Sequence, residues 1–213
     1  MSTFKIEGAK ILDGLFPEFN WEELDFERYQ QVFEKLKGVD QLSTETVNYI
    51  KNKKIRIGFH KQYKSGGGWT LLKNITLTPG DDPFTPYVLS LIIHEIFHLK
   101  QSIWMRLSMQ GELRAWQYQK QMYPEIANTK RNEIGADNEA YAGTKEYWDL
   151  LSTLSPDSRE DLEKARDVMQ NVSKGYRSHC LPLYPLPQEI GFCLRQGKFK
   201  EAINAVINLI TCK

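Results

Sequence analysis

Residues 94–98 read His-Glu-Ile-Phe-His, and this short run constrains the chain more than any other part of it. The two histidines are four apart, so on a helix their imidazoles leave one face a turn apart and converge on one point. Zn²⁺ accepts neutral imidazole nitrogen, and a catalytic zinc ion keeps a fourth position open. Glu95 follows the first histidine and projects beside that point. It is suited to take a proton from water that the metal acidifies to a pKa of about 7. The pattern arises by chance roughly 0.006 times in a chain of this length and composition. Two of the four histidines lie in it. Burying two histidines and a glutamate without a metal would be costly unless each were fully paired. One zinc ion bound by His94 and His98 is the expectation.

The context fits a buried metal helix. Thr85 can cap it, Pro86 suits its first turn, and residues 87 to about 103 run almost without charge through Leu89, Leu91, Ile92 and Ile93. Upstream, Ile55, Ile57 and Phe59 alternate with polar neighbours, and Ile75 and Leu77 do the same, which is strand periodicity. Asn20 and Glu23 form a capping box for a helix carrying Trp21, Leu24, Tyr29, Val32, Phe33 and Leu36, and a shorter helix is predicted over 43–51. Downstream, helices are predicted over about 111–122, 132–151, 156–172, 187–195 and 199–210. The expected fold class is α+β: a small N-terminal β-sheet packed on a buried metal-binding helix, with a mostly helical C-terminal half. One domain over 1–213 is expected, with N-terminal helices at 1–52, sheet and metal helices at 53–125, and a helical part at 126–213.

Charge removes whole classes of partner. The chain has 28 basic and 27 acidic residues, so it lacks the basic excess of a dedicated nucleic-acid or membrane-surface binder. Lys5, Glu7 and Lys10 interrupt the N-terminus where a signal peptide would be apolar, and the longest apolar stretch is too short to span a bilayer. Cys180, Cys193 and Cys212 are few, odd in number and not in C-x-x-C spacing. They suggest no disulfide framework and leave the cytoplasm as the expected compartment.

A third ligand must come from elsewhere in the chain. An extended metzincin pattern needs Gly at 101 and His at 104, where Gln101 and Trp104 stand; an aspzincin-like pattern needs Asp at 147, where Tyr147 stands. His60 and His179 lack supporting context. A glutamate remains, which resembles the gluzincin arrangement of HExxH followed by a Glu-bearing helix. Two glutamates compete. Gly135-Ala136-Asp137-Asn138-Glu139-Ala140 is similar to a stretch of thermolysin-like peptidases, and the resemblance implies Glu139 as ligand. Gly143 stands, however, where that family has an Asp that orients a ligand histidine. Alternatively, Glu112 opens a helix 14 residues beyond His98, with the small Ala115 a turn later. His94-Glu95-x-x-His98-x-x-Gln101, then Gly111-Glu112-Leu113-x-Ala115-Trp116-Gln117, and the later run from Gly175-Tyr176-Arg177 to Leu181-Pro182-Leu183-Tyr184-Pro185-Leu186 resemble a group of uncharacterised bacterial proteins. That resemblance implies a zincin-like site with Glu112 as ligand, the preferred choice.

The expected function is a zinc metallopeptidase acting on a peptide or protein substrate, with Glu95 as general base and His94, His98 and Glu112 as ligands. A zinc hydrolase of a non-peptide substrate, and a non-catalytic metal-binding protein of zincin fold, stand as alternatives. Asn74–Leu77 is a candidate edge strand on which an extended peptide could lie. Tyr176, Arg177 and His179 are candidate donors to an oxyanion, and Asp137 is a candidate partner of a ligand histidine. Trp104, Trp116, Tyr118 and Trp148 are expected to pack helices together.

Overall fold

A computed structural model describes helical residues at 44, 45, 48, 49 and 52, strands at 56–59, 67–69 and 74–77, and then residues 86–131, 138–172 and 177–211. The predicted capping-box helix after Asn20 lies outside the described residues. Within the predicted helix over 43–51, Thr44, Glu45, Asn48 and Tyr49 are helical.

Among the described residues, strand occurs in β1 (Arg56–Phe59), β2 (Gly67–Trp69) and β3 (Asn74–Leu77), of 4, 3 and 4 residues. Their order is β1-β3-β2, with β1 parallel to β3 and β2 antiparallel to it. Helices follow: α1 (Pro86–Lys100), α2 (Ile103–Arg106), α3 (Met109–Arg131), α4 (Asn138–Thr153), α5 (Arg159–Val172), α6 (Leu186–Arg195) and α7 (Phe199–Thr211). A 3-10 turn, Arg177–Cys180, precedes α6. The α+β expectation is therefore corrected: this is a helical protein. Alternation reports which way side chains face, and over three or four residues that supports a local ladder rather than a layer. Among the described residues the strands pack chiefly on one another rather than on α1. The strand placed at a sheet edge by its sequence, β3, is instead the central one. Both of its sides are already hydrogen-bonded, so it is not the strand that would receive a peptide.

Contacts divide the chain into two compact units, Met1–Ile96 with Met122–Asp137, and Phe97–Gln121 with Asn138–Lys213. In the first unit Leu91, Ile92, Ile93 and Ile96 of α1 are all buried, as are Met122 and Tyr123 of α3 and Ile75 of β3. Four such residues within one and a half turns cover more than one stripe of α1, so this stretch of helix is enclosed.

In the second unit, α3 packs on α4 through Trp116, whose ring meets Trp148 and Tyr147 edge-on at 5.9 and 5.7 Å. Gln117 donates from Nε2 to the carbonyls of Leu151 and Leu154, giving partners to the acceptors left over at the end of α4. Helices α6 and α7 form a hairpin. Lys198 N–H donates to Cys193 O and Gly197 N–H to Leu194 O, with Gly197 at φ 69°, the left-handed residue such a helix ending requires. Arg159 of α5 forms a bidentate pair with the buried Glu189 of α6. The cysteine reading also needs correction, because Cys180 is disulfide-bonded while Cys193 is a free, buried thiol. Pairing of distant cysteines is set by the fold, and spacing alone does not carry it. Among the described residues no helix is long and apolar enough to cross a membrane.

Candidate metal centre

Helix α1, which carries His94 and His98, ends at Lys100, and the chain reverses within eight residues. Gln101 N–H donates to His98 O at 3.0 Å, closing the last turn. Ser102 then caps α2, its hydroxyl accepting from Met105 N–H at 3.3 Å. This compact connection lets a residue 14 positions beyond His98 return to it.

The start of α3 is held by four separate acceptors. Met109 and Gln110 donate their N–H groups to Pro182 O and Leu183 O at 2.8 and 2.9 Å. Gly111 N–H donates to Ser108 Oγ at 3.1 Å, and Ser108 N–H to Met105 O at 3.2 Å. All four amides that a helix start leaves over thus have partners. The Leu-Pro-Leu-Tyr run singled out in the sequence has a role here: two of its carbonyls seat the first turn of the Glu112 helix. Replacing Ser108 by Ala should lower stability by about 1 kcal/mol, read as a shift in the denaturation midpoint at unchanged slope.

Gly111 is required by close approach. A Cβ there would lie 1.9 Å from the carbonyl oxygen of Met105 and 3.1 Å from Gln101 Oε1. Next along α3, Glu112 sits in the first turn, where the partial positive charge of the helix N-terminus favours a carboxylate. His98 sits in the last turn of α1, where the opposite end of a helix favours a cation.

His94, His98 and Glu112 form a group able to hold a metal ion, with one ligand atom from each lying within 4.8 Å of the others. They are 2%, 1% and 7% exposed, and Glu95 beside them in sequence is 4% exposed. His98 Nε2 lies 3.2 Å from Glu112 Oε2. Two ligands of one tetrahedral zinc ion are separated by about 3.3 Å when each lies at about 2.05 Å from it. Two imidazoles and one carboxylate are also a donor set that zinc accepts in catalytic sites, leaving a position for water or substrate. The residues present therefore fit the metal.

The other candidates fall elsewhere. Glu139 is the second residue of α4, but its side chain lies outside the described residues, as do Asp137, Tyr176, His60 and the side chain of Arg177. His179 lies in the 3-10 turn and is exposed. Of the aromatics, Trp116, Tyr118 and Trp148 are buried, Tyr118 against Phe97 at 4.9 Å, whereas Trp104 is 44% exposed. Gln101, the last residue of the HExxHxxQ run, had no role assigned from the sequence, and it touches both His98 and Gly111. The signals for it were its place in that run and its position three residues after His98, on the same helical face. No protein-family model, no curated protein and no solved structure matches this chain significantly.

Proposed function

We propose that this chain is a zinc metallopeptidase in which His94, His98 and Glu112 hold the ion and Glu95 is the general base. The meeting of three buried nitrogen and oxygen donors at the HExxH helix supports this reading above all. Glu95 adds to it, because a purely structural metal site has no use for a carboxylate in that position. When bound, zinc supplies Lewis acidity, which polarises a carbonyl and lowers the pKa of water at the site to about 7. Glu95 takes the proton from the attacking water, and the new C–O bond forms as that proton leaves. The carboxyl group then passes the proton to the departing amine nitrogen as the C–N bond breaks, so Glu95 ends the cycle ionised.

A Glu95→Gln protein assayed on a diverse peptide library tests the assignment. Cleavage should fall by about 100-fold or more, while zinc content stays at the wild-type level. Equal cleavage by both proteins would remove Glu95 from its role. A zinc-bearing wild type with no Glu95-dependent cleavage of any peptide would favour a non-peptide hydrolase or a non-catalytic metal protein.

A further inference from the structure

We propose that Gln101 is a positioning residue that locks the ring of His98 in one tautomer and ties it to the turn carrying Glu112. The inference rests on the reading of His98 and Glu112 as ligands, and it concerns how the chain prepares them. Gln101 Nε2 lies 3.1 Å from the carbonyl oxygen of Gly111. A carbonyl only accepts, so the amide nitrogen must face Gly111 and the amide oxygen must face the other way. That oxygen, Oε1, lies 3.1 Å from His98 Nδ1. An amide oxygen also only accepts, so His98 must carry its proton on Nδ1 and donate it. The neutral ring then has its lone pair on Nε2, the atom 3.2 Å from Glu112 Oε2. Two lone-pair-bearing atoms facing one another at that distance repel. A cation between them turns this repulsion into attraction.

The link is closed at each end. The Gln101 backbone N–H donates to His98 O, and Arg106 Nε donates to Gln101 O at 3.3 Å, so the backbone that carries the side-chain amide is held. Gly111, whose carbonyl sets the orientation of that amide, is the residue immediately before Glu112. A single side chain thus relates a ligand on α1 to the first turn of α3, at a cost in conformational freedom met during folding rather than at metal binding. Met at 101 would match Gln in length but present neither the acceptor nor the donor. Glu would keep the acceptor and lose the donor.

Two readouts test this, one of them independent of metal. In the metal-free wild type, ¹⁵N–¹H correlation of the labelled histidines, at a pH where imidazole is neutral, should show His98 as the Nδ1–H tautomer. Gln101→Met should convert it to a mixture or to Nε2–H, and Gln101→Glu should restore Nδ1–H. Zinc competition against a chromophoric chelator should then give an affinity lower by about 10- to 100-fold in Gln101→Met. An Nε2–H tautomer in the wild type, or Gln101→Glu behaving like Gln101→Met, overturns the proposal. So does a Gln101→Met protein with wild-type tautomer and wild-type affinity. If the wild type binds no zinc the reading of the site fails, whereas the tautomer measurement still decides the role of Gln101.

Discussion

Zinc should vanish from a Glu112→Ala protein and persist, at about one ion per chain, in a Glu139→Ala protein. Three protein donors converge within 4.8 Å, and removing the carboxylate leaves two imidazoles on one helix. His98 and Glu112 are 1% and 7% exposed, and Nε2 and Oε2 lie 3.2 Å apart, a meeting of two acceptors that a cation between them makes attractive. Thermal unfolding reads the loss of that cation. Zinc at 100 times its dissociation constant stabilises the folded wild type by about 2.7 kcal/mol, and a chelator should remove that increment. Glu112→Ala should not respond to zinc or chelator. Glu139→Ala should respond as the wild type does. Loss of zinc from the Glu139 variant alone would transfer the third ligand to α4. A wild type that is metal-free and indifferent to chelation would end the zinc reading altogether.

What the sequence made legible follows from the range of each interaction. His94, Glu95 and His98 could be placed on one buried helix because helical spacing and a nearly uncharged run are local properties. Helices α6 and α7 were bounded to within one residue, since Pro187 and Gly197 punctuate them. Glu112 was legible only as one of two candidates. Its approach to His98 depends on the short reversal through α2 and on carbonyls supplied by Pro182 and Leu183, 70 and 71 residues downstream. Helix α3 ran further than expected for a related reason. Pro124 argues locally for a helix end, yet it stands inside α3, which continues to Arg131. The error over β3 has the same origin. Alternation identifies a strand, but its neighbours are chosen by the rest of the chain, and two of them flank it. Gln101 was visible as a polar residue one turn after His98. Its two-sided bond needed Gly111 in place, and no pattern within α1 could announce that.

Gly111→Ala should destabilise the protein by about 3 kcal/mol or more, and it should weaken zinc binding with it. Helical propensity alone predicts the reverse, because Ala is favoured over Gly within a helix by up to about 1 kcal/mol. Space decides the sign. The new methyl group would lie 1.9 Å from Met105 O and 2.7 Å from Met105 C, which are backbone atoms with no rotamer to change. That carbonyl is also pinned, accepting from Ser108 N–H at 3.2 Å and from Ser108 Oγ at 2.7 Å. Relief must therefore come from moving the first turn of α3. Moving that turn carries Glu112 away from His98 and pulls the Gly111 carbonyl from Gln101. Gly191 on α6 provides the contrast within the same molecule, since the nearest atom to a Cβ there is the flexible tip of Arg195 at 3.7 Å. Gly191→Ala should raise stability by up to about 1 kcal/mol and leave zinc affinity unchanged. Denaturation midpoints and zinc content measured on both variants settle the point. If the two alanines shift stability in the same direction, the close contact between α2 and α3 does not exist as described, and the geometry that brings Glu112 to the histidines falls with it.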